Sequence, residues 1–166
     1  TRTGYLAVLE RMGAKVAREN EETGPGEPTA DLRPSFTRLN CVETEVSEAP
    51  NIIDEIPILA LAAAQAEGIS RFKGLAELRH KESDRLEAVV ALLNAIGADA
   101  RSDGDDLVVE GPRRFSGAKV SSRADHRIAM TALIAGLVSG ESVQVDDTDC
   151  VKISYPDFLD ELKRIS

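Results

Sequence analysis

The sequence predicts an α/β domain with internal pseudo-symmetry, and three observations support this. The 166 residues, 42% hydrophobic and 30% charged, are enough for one globular domain with its own core. Segments with the apolar spacing of helices alternate along the chain with short β-like segments. Two internal repeats are present. A shift of 84 residues aligns Met12-Gly13-Ala14 with Ile96-Gly97-Ala98, and a shift of 72 aligns Ala60, Leu61, Ala63 and Gly68 with Ala132, Leu133, Ala135 and Gly140.

The first unit begins with a predicted helix from Thr3 to Met12, which Gly13 ends. A strand is expected at Ala14–Ala17 and a loop at Glu21–Pro28, where Gly, Pro and acidic residues are concentrated. Short alternating patterns predict strands at Ala30–Phe36 and Val42–Val46.

A second helix is predicted from Asp54 to Ala66, with Asp54 at the N-cap, Pro57 in the first turn and Gly68 as the stop. Its body is almost wholly apolar, so most of its surface is expected to be buried. A strand at Ile69–Lys73 follows.

A densely charged stretch, Leu78–Leu86 (LRHKESDRL), precedes an amphipathic helix, Leu86–Ile96, that ends at Gly97. Ser83 or Glu82 is expected near the N-cap. A hairpin of Asp99–Ser102 and Leu107–Glu110 around Asp103-Gly104 is predicted next, followed by a strand at Ala118–Ser121. An apolar helix is predicted at Asp125–Val138, with Gly140 as its stop. The last predicted elements are a strand at Ser142–Val145, a loop at Asp146–Tyr155, and a helix at Pro156–Arg164 that would begin a third unit.

Cations stand at two predicted helix starts, Lys81 with Arg85 and, in the corresponding place, Arg127. A helix N-terminus carries partial positive charge, so a cation there is unfavourable unless an anion accompanies it. Glu82 and Asp84 could supply that anion, in which case the charged residues at the helix start pair with one another and are exposed to solvent. Alternatively, an external phosphate or carboxylate binds there. If these helix starts and Asp54 lie close together in the fold, they form a single anion-binding site.

The formal net charge of −9 disfavours nucleic acid or an acidic membrane as a partner, but it does not exclude a small anionic ligand. Two cysteines, Cys41 and Cys150, form no disulfide framework and are expected to be reduced, and no Cys/His spacing resembles a metal site. No long apolar run or charged leader is present, so a cytoplasmic location is expected. The opening Thr1–Tyr5 enters a helical pattern without a Met, which suggests a fragment whose natural beginning lies upstream.

Four motifs carry a resemblance to a known family: Asp54–Ala60 (DEIPILA), Lys81–Arg85 (KESDR), Asp125–Met130 (DHRIAM) and Ser154–Phe158 (SYPDF). In order and spacing they resemble 5-enolpyruvylshikimate-3-phosphate synthases, also called 3-phosphoshikimate 1-carboxyvinyltransferases. The opening Thr1–Gly4 and the segment Gly26–Leu32 resemble the same family. The resemblance covers essentially the whole chain, and KESDR together with DHRIAM is specific.

The resemblance implies two inside-out α/β domains of repeated βαβαββ units that close around the substrates. This chain, residues 1–166, resembles the C-terminal portion, mostly one incomplete domain, with the N-terminal domain absent. The isolated chain is therefore expected to be inactive or nearly so.

For the complete enzyme, the resemblance implies transfer of the enolpyruvyl group of phosphoenolpyruvate to the 5-hydroxyl of shikimate 3-phosphate, with release of phosphate. Glyphosate is the family's inhibitor, and no metal or organic cofactor is implied. By resemblance, Asp54 binds the shikimate hydroxyls and accepts a proton, Glu82 is the acid beside the methylene carbon, and Lys81 contacts the substrates and the transferred proton. Arg85 and Arg127 hold phosphoenolpyruvate, for which a planar guanidinium is suited.

Each role has a structural alternative. Asp54 as an N-cap would contribute about 1 kcal/mol to its helix. Asp125 is expected to cap a helix and support Arg127, and His126 to be a structural hydrogen-bonding residue. Arg79 and Glu77 are possible lining residues. Many family members carry a Lys three residues before the Pro of the last motif, where this chain has Ile153, and Lys152 one residue earlier would face the opposite side of a strand.

Two other functions remain open. The sister enolpyruvyl transferase that acts on UDP-N-acetylglucosamine shares the architecture, although KESDR with DHRIAM is not typical of it. A non-catalytic fragment used for binding or complementation is compatible with the same residues.

Overall fold

The structure is a computed structural model that describes residues 3–165. The helices are α1 (Gly4–Arg11), α2 (Ala49–Ile52), α3 (Ile56–Ala63), α4 (Arg85–Ala95), α5 (His126–Ser139) and α6 (Phe158–Ile165). The strands are β1 (Lys15–Glu22), β2 (Thr29–Ser35), β3 (Gly68–Phe72), β4 (Asp99–Asp103), β5 (Asp106–Gly111), β6 (Ala118–Val120) and β7 (Val143–Val145). Thr1 and Arg2, part of the opening motif, lie outside the described residues.

The strands form three small sheets. β1 and β2 make an antiparallel hairpin, β3, β5 and β4 make an antiparallel sheet in that order, and β6 pairs with β7 in parallel. The core lies between the helices and the three-stranded sheet, and its fully buried members include Leu59, Phe72, Leu86, Leu93 and Leu107. The predicted mixture of helices and small sheets is therefore confirmed.

The 84-residue repeat is confirmed in the backbone. Gly13 and Gly97 follow equivalent helices with φ of +90° and +88°, a left-handed conformation that glycine adopts without steric cost. In both units the residue after this glycine donates its N–H to a carbonyl of the preceding helix at 2.9 Å: Ala14 to Leu9 and Ala98 to Leu93. The two units therefore end their amphipathic helices in the same way.

The predicted N-cap role of Asp54 is wrong. The chain is already helical from Ala49, and a 3-10 turn at Ile53–Glu55 leads into α3, whose N-cap is Glu55. The carboxylate of Asp54 faces Lys81 and Arg85. Gly68 also does not end this helix: α3 stops at Ala63, and Gly68 begins β3.

The N-cap of α4 is Asp84, whose Oδ1 accepts the Glu87 N–H at 3.1 Å, and Ser83 and Glu82 lie near it, one and two residues earlier, as predicted. Both predicted residues have other partners, since Ser83 donates to Asp125 and Glu82 pairs with Arg85. Lys81 consequently lies before the helix rather than in its first turn.

The expected strand at Val42–Val46 is present only as an isolated parallel bridge from Glu43 to Arg71 of β3, and a second bridge joins Asn40 to Glu67 just before β3. Cys41 and Thr44 donate to Glu67 and Arg71, each at 2.9 Å, but the Val42 N–H goes to the Ser70 hydroxyl at 3.1 Å. A side chain thus takes the place of a backbone acceptor and interrupts the ladder.

The other predicted elements are confirmed to within a few residues, except that β1 continues five residues beyond the predicted end at Ala17 and the Asp146–Tyr155 loop contains a 3-10 turn at Asp149–Ile153. Both cysteines are free thiols, as expected. Between residues 3 and 165, no helix is long and apolar enough to span a membrane.

Candidate anion site

Arg85 lies where the starts of three helical segments meet. It is the first residue of α4, and only 1% of it is exposed. Its Nε lies 2.8 Å from Asp125 Oδ2, its Nη1 lies 3.4 Å from Asp54 Oδ1, and its Nη2 contacts Glu82. A single guanidinium therefore joins the 3-10 turn before α3 to the starts of α4 and α5.

Asp125, which is fully buried, holds that guanidinium from the other side. Its carboxylate also accepts the Arg127 N–H at 3.0 Å and the Ser83 hydroxyl at 3.2 Å. Burial alone would raise the pKa of Asp125, but Arg85 and these two donors outweigh burial and lower the pKa below its usual value. Asp125 is therefore an N-cap of α5, as predicted, and also the main charge partner of Arg85.

Arg127 turns back toward α3. Its Nη1 donates to the Asp54 carbonyl at 2.7 Å and lies 3.4 Å from Glu55 Oε1, while its Nη2 lies 4.0 Å from Asp54 Oδ2. The side chain is partly exposed. The two arginines predicted to act together thus share Asp54 as a neighbour.

Lys81 completes the positive side of the cluster. Its Nζ lies 2.6 Å from Glu77 and 3.5 Å from Asp54 Oδ1. Both carboxylates, Glu77 more than Asp54, raise the pKa of Lys81. Its ammonium therefore stays charged at neutral pH. Lys81 and Arg85 approach the same oxygen of Asp54.

Glu82 is half-exposed at the rim of the cluster, and its Oε1 lies 3.9 Å from His126 Nδ1. The five residues predicted for the site, Asp54, Lys81, Glu82, Arg85 and Arg127, are therefore brought together. The expectation that these helix starts converge is confirmed, while the chemical role of each residue stays a prediction.

Carboxylates outnumber cations in this cluster. Lys81, Arg85 and Arg127 face the acids Asp54, Glu55, Glu77, Glu82 and Asp125. The cations are therefore paired with carboxylates of the chain itself and gathered in one place, while the binding of an external anion there stays a prediction. An anionic ligand would have to replace one of these carboxylates; Glu77 and Glu82 are the two most exposed, and Glu82 is the one that pairs with Arg85.

Three contacts of Arg79 position this segment and could not be assigned from sequence. Arg79 donates to Asp105 Oδ1 at 3.0 Å, to the Gly104 carbonyl at 2.7 Å and to Asp84 Oδ2 at 3.2 Å. It therefore ties the N-cap of α4 to the β4–β5 turn. The acidic residues of the β4–β5 turn indicate that a cation could pair with them, but no sequence pattern identifies that cation as Arg79, which lies 26 positions before Asp105.

Lys152 pairs with Asp149 at 2.6 Å and is mostly exposed, as is Ile153. In this chain Lys152 thus faces solvent. No group of three or more His, Cys, Asp or Glu residues suitable for a metal ion occurs in the part of the chain that the structure describes. A cavity of about 640 Å³ lies elsewhere, between α1 and the β1–β2 hairpin, and none of the cluster residues lines it.

Comparison with known proteins agrees with the motifs. The family model of EPSP synthase (3-phosphoshikimate 1-carboxyvinyltransferase) matches residues 1–162. A 3-phosphoshikimate 1-carboxyvinyltransferase of Gluconobacter oxydans (strain 621H) is 47% identical over 160 residues, 96% of this chain and 36% of the relative. The enzyme of that name from Rhodopseudomonas palustris (strain BisA53) is 47% identical over 165 residues, 99% of this chain and 37% of the relative.

A solved structure of an EPSP synthase from Acinetobacter baumannii superposes with a TM-score of 0.90 at 36% identity, covering 98% of this chain and 38% of that one. The chain thus spans less than two fifths of the length of these proteins. The match of nearly all its residues, together with the shared fold, shows that the chain belongs to the EPSP synthase (3-phosphoshikimate 1-carboxyvinyltransferase) family.

Proposed function

We propose that the longer protein of which this chain is the C-terminal portion transfers the enolpyruvyl group of phosphoenolpyruvate to the 5-hydroxyl of shikimate 3-phosphate and releases phosphate. The observation that carries the proposal is the convergence of Arg85 and Arg127 on Asp54 at three helix starts. Both substrates are small and multiply anionic, and such a cluster offers guanidinium and helix N–H groups to their oxygens.

Binding proceeds by exchange of carboxylates. Arg85 is already bonded to Asp125 on its buried side, so that side stays in place. On the exposed side, the carboxylate of phosphoenolpyruvate takes the position of Glu82 on Nη2. This exchange conserves the charge next to a buried guanidinium, which would otherwise be costly to leave unpaired, and it frees the Glu82 carboxyl.

The chemistry is an addition followed by an elimination. Asp54 accepts the proton of the 5-hydroxyl as the hydroxyl oxygen bonds to C2 of phosphoenolpyruvate, and Glu82, which takes up a proton from solvent when it leaves Arg85 and has Lys81 beside it, delivers that proton to the methylene carbon. In the second step that carbon returns a proton to Glu82 and the C2–O bond to phosphate breaks, which restores the double bond, and the proton held by Asp54 passes to the released phosphate. Arg127 and Lys81 stabilise the charge on the leaving phosphate.

The remaining features of the proposal follow from the family. The absent N-terminal domain supplies the other face of the cleft, so residues 1–166 alone are inactive. The enzyme works in the cytoplasm, glyphosate competes for the phosphoenolpyruvate position, and no cofactor takes part.

The test is a phosphate-release assay on this chain combined with the missing N-terminal part. We expect phosphate to form only when phosphoenolpyruvate and shikimate 3-phosphate are both present, and none from residues 1–166 alone. No release from the complete protein would overturn the proposal in favour of a non-catalytic fragment. Release with UDP-N-acetylglucosamine as the acceptor would assign the sister reaction instead.

A further inference from the structure

The chain enters α5 through a tight turn with an uncommon backbone conformation. The Asp125 N–H donates to the Ser122 carbonyl at 2.9 Å, which closes a four-residue turn. The two central residues, Arg123 and Ala124, have φ of +54° and +57°. Positive φ at both central positions is the pattern of a type I′ turn, which glycine, asparagine and aspartate favour. Because Arg123 and Ala124 carry a Cβ that disfavours this conformation, the turn depends on support from its surroundings.

Two serines supply the hydrogen bonds that support the turn. Ser121 Oγ accepts the Arg123 N–H at 3.3 Å, and Ser122 Oγ accepts the Ala124 N–H at 3.2 Å. The next N–H, that of Asp125, is the one bonded to the Ser122 carbonyl. Every backbone N–H from Arg123 to Asp125 therefore has a partner, and each partner atom belongs to one of the two serines. The conformation of the turn thus depends on where these serines are held.

Asp146, the residue directly after β7, holds both serines. Its Oδ2 accepts the Ser121 hydroxyl at 2.6 Å, and its Oδ1 accepts the Ser122 N–H at 2.8 Å. These bonds, that of the Ser121 hydroxyl most, lower the pKa of Asp146 to about 2, so the carboxylate stays ionised at neutral pH. The Asp146 N–H donates in turn to the Val120 carbonyl at 3.1 Å. One carboxylate therefore joins the turn to the end of the β6–β7 pair.

On its other side the turn leads directly into the anion cluster. Asp125, its last residue, is fully buried and lies 2.8 Å from the Nε of Arg85. Arg127, two residues later, donates to the Asp54 carbonyl at 2.7 Å. A change in the turn would therefore move the main charge partner of Arg85 and the Arg127 guanidinium together.

We propose that Asp146 is a positioning residue for the anion site, because by holding both serines it fixes the turn from which Asp125 and Arg127 enter the cluster. Its effect on catalysis rests on the proposed function. Glu141 offers a matched comparison, since its Oε2 accepts the Gly117 N–H at 2.7 Å and joins the segments that lead into β6 and β7. Glu141 thus does at the start of this strand pair what Asp146 does at its end, where the turn begins.

The first test is the KM for phosphoenolpyruvate of the complete longer protein, measured by phosphate release at saturating shikimate 3-phosphate. We expect Asp146→Ala to raise this KM by about fivefold or more, because Asp125 and Arg127 are no longer held in place, and Glu141→Ala to leave it unchanged. Asp146→Asn keeps an oxygen for the Ser122 N–H, so it is expected to give an intermediate KM and to report on the site even if the alanine variant does not fold. A wild-type KM in every folded Asp146 variant, or an equal rise in Glu141→Ala, would overturn the proposal.

Ala124→Gly tests whether Asp146 acts through the turn. Glycine adopts positive φ without steric cost, so the turn then needs less support. We expect Asp146→Ala to raise the KM by only about twofold when it is combined with Ala124→Gly, compared with its larger effect alone. The same rise in both backgrounds would show that Asp146 does not act through the turn, and would overturn the proposal.

Hydrogen exchange in the complete protein separates the role of Asp146 from the proposed activity, because it requires no turnover. We expect the amides of Arg123, Ala124 and Asp125 to exchange about tenfold faster or more in Asp146→Ala than in the wild type, with exchange in β4 unchanged. Faster exchange together with no phosphate release from the wild type would support the holding of the turn and remove only the proposed function. Unchanged exchange at these amides would contradict the proposal.

Discussion

At the scale of single residues, the fold depends on one buried ion pair. Arg85 and Asp125 lie 40 positions apart, both almost fully buried, and they join the starts of α4 and α5. The sequence predicted each residue at its helix start and predicted that Asp125 supports Arg127. It could not predict that Asp125 pairs with Arg85, because the spacing of residues along one helix contains no information about which helix packs beside it.

We predict that Asp125→Ala lowers the free energy of unfolding of residues 1–166 by about 3–5 kcal/mol, because it removes both the N-cap of α5 and the fully buried carboxylate that pairs with Arg85. Asp149→Ala is the matched control. It removes a carboxylate from the exposed pair with Lys152 and is expected to cost at most about 1 kcal/mol. Urea unfolding followed by circular dichroism measures both, and equal losses would show that the buried pair contributes no more than a surface one.

At the scale of elements, the helices were easier to predict than the strands. α5 was predicted almost to its ends, since Asp125 caps it and Gly140, with φ of +67°, ends it. β1 is twice as long as the predicted Ala14–Ala17 because its second half, rich in Glu and Asn, has no apolar alternation. Pairing with β2, rather than burial, holds that half in the strand.

The glycines that end the equivalent helices provide an element-scale prediction. We expect Gly97→Ala to destabilise the chain by about 1–2 kcal/mol, because the φ of +88° is unfavourable for any residue with a Cβ. Gly26→Ala is the control, since Gly26 has no positive φ and a Cβ added there would meet no atom within 4 Å. Thermal unfolding of the two variants measures the difference, and equal midpoints would contradict a required left-handed turn at the end of α4.

At the scale of the whole molecule, the repeats bring distant motifs together. Asp54, Arg85 and Arg127 are separated by 31 and 42 positions, yet all three meet where the starts of three helical segments come together. The sequence predicted this convergence because the repeats were visible in it. It offered pairing of the cations with Glu82 or Asp84 as one alternative, but it could not assign Asp125 to Arg85 or Glu55 to Arg127, because those partners come from other helices.

The most direct test of the proposed site is the KM for phosphoenolpyruvate of the complete protein at saturating shikimate 3-phosphate, measured by phosphate release for the wild type and for Arg127→Ala. We expect the variant to raise this KM by about tenfold or more, the loss of a charged hydrogen bond of roughly 1.5–3 kcal/mol, with little change in its unfolding temperature. An unchanged KM, or a rise in KM matched by an equal loss of stability, would contradict the assignment of this cluster as the anion site.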